Sequence, residues 1–296
     1  MRKNLADINA SFIMMAGFLW GTTGVVARLG FQLGVLPELL LFYRLMLTLP
    51  FYIFVLYSND FQRDKIVKVA MIGFFLLGPF HISYYYAVER VGVSTAAILL
   101  YTHPVVATFF SWLILKEGLS KINLLFLAPS VTGAILICAE GFVSEPQGFI
   151  WGLSSSLFFA LYIVFSKKLM NEGVKPIETG MGGSAWALPF VTIFCLLNGR
   201  CDFSRIMEVR VFIISFYLAF FVTVLAYYLY MLGLKKIKTS WAVIASTIEP
   251  LTATILSRII YSEELTLMKG LGGFLILTGV VAMALKTSRL NASVKD

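Results

Sequence analysis

One sequence pattern occurs twice in the chain, as STAAILLYTHPVVATFFSWLILKEGLS in residues 94–120 and as SWAVIASTIEPLTATILSRIIYSEELT in residues 240–266. Each copy is an apolar run of helical length with a proline near its middle and a glutamate near its end. A shift of 146 places residues 81–139 on residues 227–285 without a gap, and 14 of the 59 pairs are identical. Chance would give roughly five identities in so apolar a composition, so the chain contains an internal repeat.

The composition indicates that lipid surrounds much of the chain. Of its 296 residues, 59% are hydrophobic and 14% are charged, whereas about a quarter of the residues of a soluble domain are charged. A soluble fold of this size does not bury that much apolar surface. The net charge of +8 comes from short Lys and Arg clusters between apolar runs. That arrangement is typical of membrane topology signals rather than of a nucleic-acid interface.

Apolar runs of about 20 residues, long enough to cross a bilayer, occur ten times with short polar breaks between them. The predicted fold is an all-α integral membrane protein with ten transmembrane helices. The repeat shift carries the third to fifth helices onto the eighth to tenth, so each repeat has five helices. Because five is odd, the two repeats, residues 1–142 and 143–296, are predicted to cross the membrane in opposite senses. The predicted helices are residues 10–33, 38–58, 66–88, 93–115, 120–139, 148–169, 176–198, 209–232, 239–261 and 266–286.

Positively charged residues predict how the chain is oriented. With the N-terminus in the cytoplasm, sixteen Lys and Arg residues fall on the cytoplasmic side, six on the other side and two inside helices. This bias predicts cytoplasmic N- and C-termini and an even number of spans. Arg2 and Lys3 precede an apolar run that is too long for a signal-peptide core, so we expect it to remain as the first helix.

Several short motifs follow one another in order and are partly duplicated. They are Trp20-Gly21, Phe42-Tyr43-Arg44-Leu45, Glu117-Gly118, Ser262-Glu263-Glu264, Thr132-Gly133 and Thr278-Gly279. Over almost the whole chain, this order resembles the drug/metabolite transporter superfamily and, within it, the EamA type. The resemblance implies a ten-helix bundle with a central cavity and the transport of small organic solutes such as amino acids, nucleotide-linked metabolites or drugs. We expect a multi-pass protein of the cell inner membrane.

Ionisable side chains inside predicted helices indicate a functional site, because a charge at mid-membrane depth is costly. Glu249-Pro250, near the middle of the ninth helix, aligns with His103-Pro104 in the fourth. Each proline removes a backbone N–H and predicts a kink. One hypothesis is that Glu249 and His103 face a central cavity and couple proton movement to solute movement, with Pro104 and Pro250 as gating kinks. The alternative is that Glu249 pairs with a cation and that the prolines only shape their helices.

A further charge, Arg44, lies about six residues into the second predicted helix, which is about 9 Å along its axis. Three interpretations stay open for it. Arg44 is a clamp for a carboxylate or phosphate, a salt-bridge partner of Glu249, or a donor of fixed hydrogen bonds to neighbouring helices. We expect Arg258, one turn before the end of the ninth helix, to extend to the membrane interface.

Aromatic residues supply the remaining candidates for a solute pathway. Trp20, Tyr84, Tyr101 and Tyr230 are candidates for a cavity wall that binds amphipathic or cationic solutes by stacking and cation–π contact. Tyr84 and Tyr230 are the stronger pair because they occupy equivalent positions in the two repeats. For most aromatic residues of the chain, an interfacial or lipid-facing position is the alternative. His81 is expected to be a structural histidine.

Sequence motifs for other chemistry are missing. Without a GxxxxGK[ST] loop, uphill transport requires a proton or other ion gradient, or solute exchange. The three cysteines show no CxxC or Cys/His spacing, so we expect no cofactor, no metal site and no disulfide framework. Cys195 and Cys201 nevertheless lie near one predicted loop, where they are able to pair.

The expected partners are a small-molecule substrate, membrane lipid and a coupling proton, not nucleic acid, and the oligomeric state is left open. Two alternative functions remain beside a secondary transporter. One is an intramembrane enzyme, although the two histidines lie on different helices without clustered acids. The other is a channel or receptor subunit.

Overall fold

The computed structural model describes residues 2–57, 63–116, 128–129, 131–137, 139, 143–175, 177–199, 202–234 and 247–293, and most of them are helical. No strand occurs in these ranges. Three π-helical segments and one 3₁₀ helix lie between the α-helices: Gly73–Leu77, Glu178–Gly182, Leu218–Leu225 and Phe203–Met207. The α-helices are α1 (Arg2–Gln32), α2 (Pro37–Tyr57), α3 (Arg63–Ile72), α4 (Gly78–Val91), α5 (Val93–Leu100), α6 (His103–Leu115), α7 (Pro146–Asn171), α8 (Gly183–Leu197), α9 (Val209–Tyr217), α10 (Ala226–Leu234), α11 (Ile248–Tyr261) and α12 (Leu267–Ser293).

Seven helical stretches of the described chain are long and apolar enough to cross a bilayer. They coincide with the first four and the sixth to eighth predicted helices, which confirms an all-α, multi-pass membrane protein. A shorter apolar helix, Leu267–Gly279, lies at the tenth prediction. Half of the fifth prediction and the first third of the ninth lie outside the described residues. The seven stretches are Ser11–Gln32, Pro37–Val55, Lys65–Val91, Val93–Leu115, Pro146–Asn171, Glu178–Leu197 and Val209–Tyr230.

Two of the π-helical segments occupy equivalent places under the shift of 146 residues. The segment Gly73–Leu77 maps onto residues 219–223, which lie within Leu218–Leu225. A π-helical turn accommodates an additional residue in an α-helix and is frequent at functional sites. The equivalence found in the sequence therefore extends to an unusual backbone geometry.

Two helix ends are also equivalent under the shift of 146 residues. Lys116 after α6 and Ser262 after α11 are the described non-glycine residues with positive φ, at 55° and 54°. Their backbone N–H groups donate to the carbonyls of Ser111 and Ser257, which are again 146 residues apart. A left-handed residue that bonds back into the last turn is a common way to end a helix. Both helices thus end in the same manner at equivalent positions.

Helix packing links the first and second halves of the chain. α1 packs against α10 and α11, whereas α7 packs against α4 and α6. The shift of 146 maps α4 onto α10 and α6 onto α11, so the two arrangements correspond. The largest cluster of buried apolar residues draws on both halves, from Val25 in α1 to Ala253 in α11. Each half therefore buries its apolar surface against the other.

One cysteine bears on the disulfide prediction. Cys195, buried in α8, is disulfide-bonded. The other two cysteines, Cys138 and Cys201, lie outside the described residues. The sequence argued against a disulfide framework but left a pairing of Cys195 open. The bond at Cys195 shows that pairing depends on how loops and helices meet in space and not on a local spacing motif.

Candidate functional site

The centre of the candidate site is the carboxylate of Glu249 in the first turn of α11. Tyr101 lies in the turn between α5 and α6 and is 4% exposed. Its hydroxyl Oη donates a hydrogen bond to Glu249 Oε2 at 3.3 Å. Since α11 lies in the second half of the chain and Tyr101 in the first, this bond joins two predicted site residues across the halves.

Aromatic rings surround the same region. The Trp20 ring centroid lies 5.3 Å from that of Tyr227 and 5.2 Å from that of Tyr230. Trp20 Nε1 donates to the Val222 carbonyl at 3.1 Å, which fixes the indole against the π-helical segment. The Glu249 carboxylate lies within electrostatic range of Tyr84, Tyr227 and Tyr230. The structure therefore brings Trp20, Tyr84, Tyr101 and Tyr230 together with Glu249.

Several ionisable side chains of this region are only partly buried. Glu249, His103, Tyr227 and Tyr230 each keep part of their side-chain surface exposed. Tyr227 was not singled out from the sequence, although it lies three residues before Tyr230 on the same helix face.

A close helix contact positions Glu249. Gly21, next to Trp20 in α1, packs against the first turns of α11. A Cβ at this position would lie 2.6 Å from the backbone carbonyl oxygen of Glu249 and 2.6 Å from the Cβ of Thr252. Only glycine permits this approach, so the Trp20-Gly21 motif places the indole and the Glu249 backbone side by side.

His103 begins α6 and uses one ring nitrogen within its own helix. Its Nδ1 lies 2.9 Å from the Leu100 carbonyl oxygen. Because a carbonyl only accepts, Nδ1 carries the hydrogen. Pro104 lacks the N–H that would bond this carbonyl, so the histidine replaces the missing donor. The ring also contacts Tyr101 and Phe159, at centroid distances of 5.5 and 4.8 Å.

The two prolines differ in what the structure describes around them. A turn at Tyr101–Thr102 separates α5 from α6, so the predicted interruption near Pro104 is present. Pro250 is buried in the first turn of α11, and the residues that precede Thr247 lie outside the described part of the chain. A kink at Pro250 therefore stays a prediction.

Arg44 is a buried cation, 4% exposed, that joins three helices. Its Nε donates to Thr223 Oγ1 at 2.9 Å, and its Nη1 donates to Tyr85 Oη at 3.2 Å. Among the described residues, Arg44 and Glu249 form no ion pair in this conformation, and a salt bridge that holds another gate state stays a prediction. The fixed hydrogen bonds of the structural interpretation are present, to side chains rather than to carbonyls. Tyr85 and Thr223 were missed because nothing in one helix predicts its neighbour's polar atoms.

A second charged cluster lies at one end of the bundle. The carboxylate of Glu263, just after α11, accepts hydrogen bonds from the backbone N–H groups of Val93 and Ser94 at 2.8 and 3.0 Å and from Ser94 Oγ at 2.6 Å. It also pairs with Arg28, whose guanidinium lies 4.5 Å over the ring of Tyr261. A carboxylate at a helix N-terminus satisfies orphan N–H groups and the helix dipole.

The electrostatics of this cluster favour a charged Glu263. Burial raises its pKa, but the hydrogen bonds from Ser94 and Val93 and the charge of Arg28 outweigh burial, so the pKa lies below the ordinary value of 4.5. Glu263 joins α1, α5 and α11 at this end. The identical pairs Ser94/Ser240 and Glu117/Glu263 in the repeat alignment were the available signal. Nearby, exposed Arg258 donates to the Glu263 carbonyl at 3.0 Å.

Comparisons with known proteins find relatives of the whole chain. The model of the EamA-like transporter family matches residues 8–139 and again residues 146–285. An uncharacterized transporter of Archaeoglobus fulgidus is 27% identical over 276 residues, which cover 91% of this chain and 93% of that protein. The uncharacterized inner membrane transporter YicL of Salmonella typhimurium is 23% identical, with 94% of this chain and 95% of that protein covered.

A solved crystal structure resembles the fold. It superposes with a TM-score of 0.65 at 18% sequence identity, and the match covers 95% of this chain and 98% of that chain. At this identity, the likeness concerns the fold alone. The fold extends over nearly the full length of both chains.

Proposed function

Because the chain belongs to the EamA-like transporter family, we propose that it is a secondary transporter that carries small organic solutes across the cell inner membrane by alternating access. Glu249 is the observation that supports this function most directly. It is a partly buried carboxylate that accepts a hydrogen bond from Tyr101 and lies among aromatic side chains. Amphipathic or cationic solutes, including amino-acid-like ones, suit such a site.

The proposed architecture is ten transmembrane helices in two inverted repeats, residues 1–142 and 143–296. Four observations support it. The family model matches twice, two π-helical segments correspond, two left-handed helix ends correspond, and α1 and α7 have corresponding packing partners. Five helices per repeat require opposite orientations, and solute sites in such transporters lie where the repeats meet. The Tyr101–Glu249 bond spans that junction.

The carboxylate also suggests how transport is coupled. Glu249 binds either a proton or a cationic group of the solute, so occupancy by one excludes the other. This competition couples a proton gradient, or the exchange of a second solute, to solute movement. His103 contacts Tyr101, which bonds Glu249, and no described residue forms a hydrogen bond with its Nε2. Pro104 and Pro250 are the proposed flexible points of the two helices.

The proposed orientation places both termini in the cytoplasm. Sixteen Lys and Arg residues then lie on the cytoplasmic side against six on the other. The relative from Salmonella typhimurium is described as an inner membrane transporter, which supports the same location for this chain.

Proteoliposomes that contain the pure protein test the proposal. Saturable uptake and counterflow of organic cations and amino acids are expected from a carrier. Glu249→Gln should lower the rate by more than about tenfold and should remove its pH dependence, because glutamine exchanges no proton. His103→Ala should alter the pH dependence. Glu264→Gln, a change at an exposed carboxylate, is the matched control and should transport normally.

Two outcomes contradict the proposal. Single-channel currents without saturation would indicate a pore instead of a carrier. Unchanged transport and unchanged pH dependence in both Glu249→Gln and His103→Ala would remove these residues from coupling.

A further inference from the structure

A largely apolar groove lies at the end of the bundle where α1 ends and α9 begins. Its volume is about 340 Å³, and each helix lines it with one face. Both faces follow the i, i+3, i+4 spacing of helix neighbours. The groove uses none of the residues of the candidate site and is a separate feature. Its lining residues are Leu29, Gln32 and Leu33 on one side and Arg210, Ile213 and Ile214 on the other.

Fixed contacts hold the mouth of this groove in place. Arg205, in the 3₁₀ helix before α9, donates to the carbonyls of Leu33 and Gly34 at 2.9 and 2.7 Å. Carbonyls at the end of a helix lack helical partners, so these bonds tie the end of α1 to the segment before α9. Arg205 also pairs with Glu208 at 2.8 Å. The groove therefore has a fixed rim, and the nearby carboxylate of Glu208 is already bonded.

Polarity along the groove changes with depth in the same order as in a phospholipid. Gln32 is the last residue of one apolar span, and Arg210 is the second residue of another, Val209–Tyr230. Residues at the ends of such spans lie near the lipid headgroups. Leu29 and Ile213 are each three residues further into their spans, about 4.5 Å deeper, and both are exposed. The groove thus offers polar groups at headgroup level and apolar side chains below them.

The charge of the groove favours an anionic headgroup. Arg210 is exposed and forms no ion pair with any other residue in the described part of the chain. None of the residues that line the groove is acidic. A zwitterionic headgroup would bring its ammonium near the guanidinium without a free carboxylate to receive it. An anionic phospholipid avoids this repulsion, and a guanidinium binds phosphate oxygens through parallel hydrogen bonds.

We propose that the groove between α1 and α9 binds an anionic phospholipid, with the phosphate at Arg210 and Gln32 and an acyl chain along Leu29, Ile213 and Ile214. The inference goes beyond the proposed transport function and does not depend on it. Under the proposed orientation, the lipid belongs to the outer leaflet. A single basic residue near the membrane surface should favour an anionic over a zwitterionic lipid by about fivefold.

Lipid titrations of the purified full chain test the site. Phosphatidylglycerol and phosphatidylcholine with the same acyl chains are added in detergent, and native mass spectrometry counts the bound lipids. The unmodified protein should retain phosphatidylglycerol about fivefold better than phosphatidylcholine. Glycerol phosphate, which carries the charge without the chains, should not bind at these concentrations. Binding as tight as that of the lipid would assign the site to a free anion and overturn the inference.

Variants assign the preference to residues. Arg210→Gln should remove the preference for phosphatidylglycerol and leave retention of phosphatidylcholine nearly unchanged. Ile213→Trp, at a side chain that is 59% exposed, should fill the groove and reduce retention of both lipids. Lys269→Gln, which removes a cation near the start of α12, is the matched control and should keep the preference. Because Arg210 and Ile213 are exposed, these variants should melt like the unmodified protein without added lipid.

Four further outcomes overturn the inference. One is equal retention of the two lipids by the unmodified protein, and another is a preference that survives in Arg210→Gln. A third is the same loss of preference in Lys269→Gln, which would show a general effect of net charge. The fourth is dimers that disappear in Ile213→Trp while no lipid is retained, which would assign the groove to a second copy of the chain. Saturable uptake in proteoliposomes tests the proposed function separately.

Discussion

The starts of α6 and α11 are equivalent in sequence but use their polar side chains differently. His103-Pro104 and Glu249-Pro250 align in the repeat, and both follow a turn. His103 donates to the carbonyl of Leu100, next to its own helix, and so replaces the backbone N–H donor that Pro104 lacks. Glu249 bonds Tyr101 in the other half. One repeat therefore uses this position for local stability and the other uses it for contact between the repeats.

This divergence shows why an internal repeat does not transfer function from one copy to the other. Duplication preserves the backbone, as in the helix ends at Lys116 and Ser262. The side chains that face the junction are then free to differ. A histidine that bonds its own helix and a carboxylate that bonds the other half give the two equivalent positions different roles.

The largest loss of stability is expected at the close contact between Gly21 of α1 and the start of α11. Gly21→Ala should destabilise the protein by about 3 kcal/mol, because the added methyl group meets the Glu249 backbone and Thr252 at distances that no normal packing allows. Gly270→Ala is the matched control, since a Cβ there meets nothing within 4 Å. Thermal unfolding in detergent measures both. Equal melting temperatures for the two variants would contradict the close α1–α11 contact.

A loss of stability of intermediate size distinguishes the start of α6 from the start of α11. His103→Ala should cost roughly 2 kcal/mol because the Leu100 carbonyl loses its donor in a buried environment. Glu249→Gln should cost less, since glutamine still accepts from Tyr101. His103→Asn, which is able to donate to the same carbonyl, should recover part of the loss. The comparison fails if Glu249→Gln lowers the melting temperature as much as His103→Ala does.

A smaller and pH-dependent effect is expected at the far end of α11. The folded-state pKa of Glu263 lies below 4.5, so its contribution to stability is complete above the ordinary glutamate pKa and is lost as the pH falls through the lowered value. The melting temperature should therefore fall more steeply with acid in the unmodified protein than in Glu263→Gln. Glu264→Gln should follow the unmodified curve. Parallel curves for all three proteins would show that Glu263 makes no such contribution.

The sequence predicted the elements of this fold better than the contacts of its site. Hydropathy located the described spans because lipid demands about 20 apolar residues for each, and the repeat alignment brought Glu249 to the same level as His103. The bond between Nδ1 of His103 and Leu100, the partners of Arg44 and the Arg28–Glu263 pair depend on rotamers and helix rotation. The π-helical segments were likewise missed, because one added residue leaves no mark in an apolar run.

These π-helical segments affect the directions in which the candidate aromatic side chains point. Each residue advances an α-helix by about 100° around its axis. One additional residue therefore rotates all following side chains around the helix axis. Tyr84 follows Gly73–Leu77, and Tyr227 and Tyr230 follow Leu218–Leu225. Deleting a single residue within either segment would swing these rings toward a neighbouring helix while the span still crosses the membrane. Single-residue insertions and deletions thus reorient these aromatic side chains without a change of helix number.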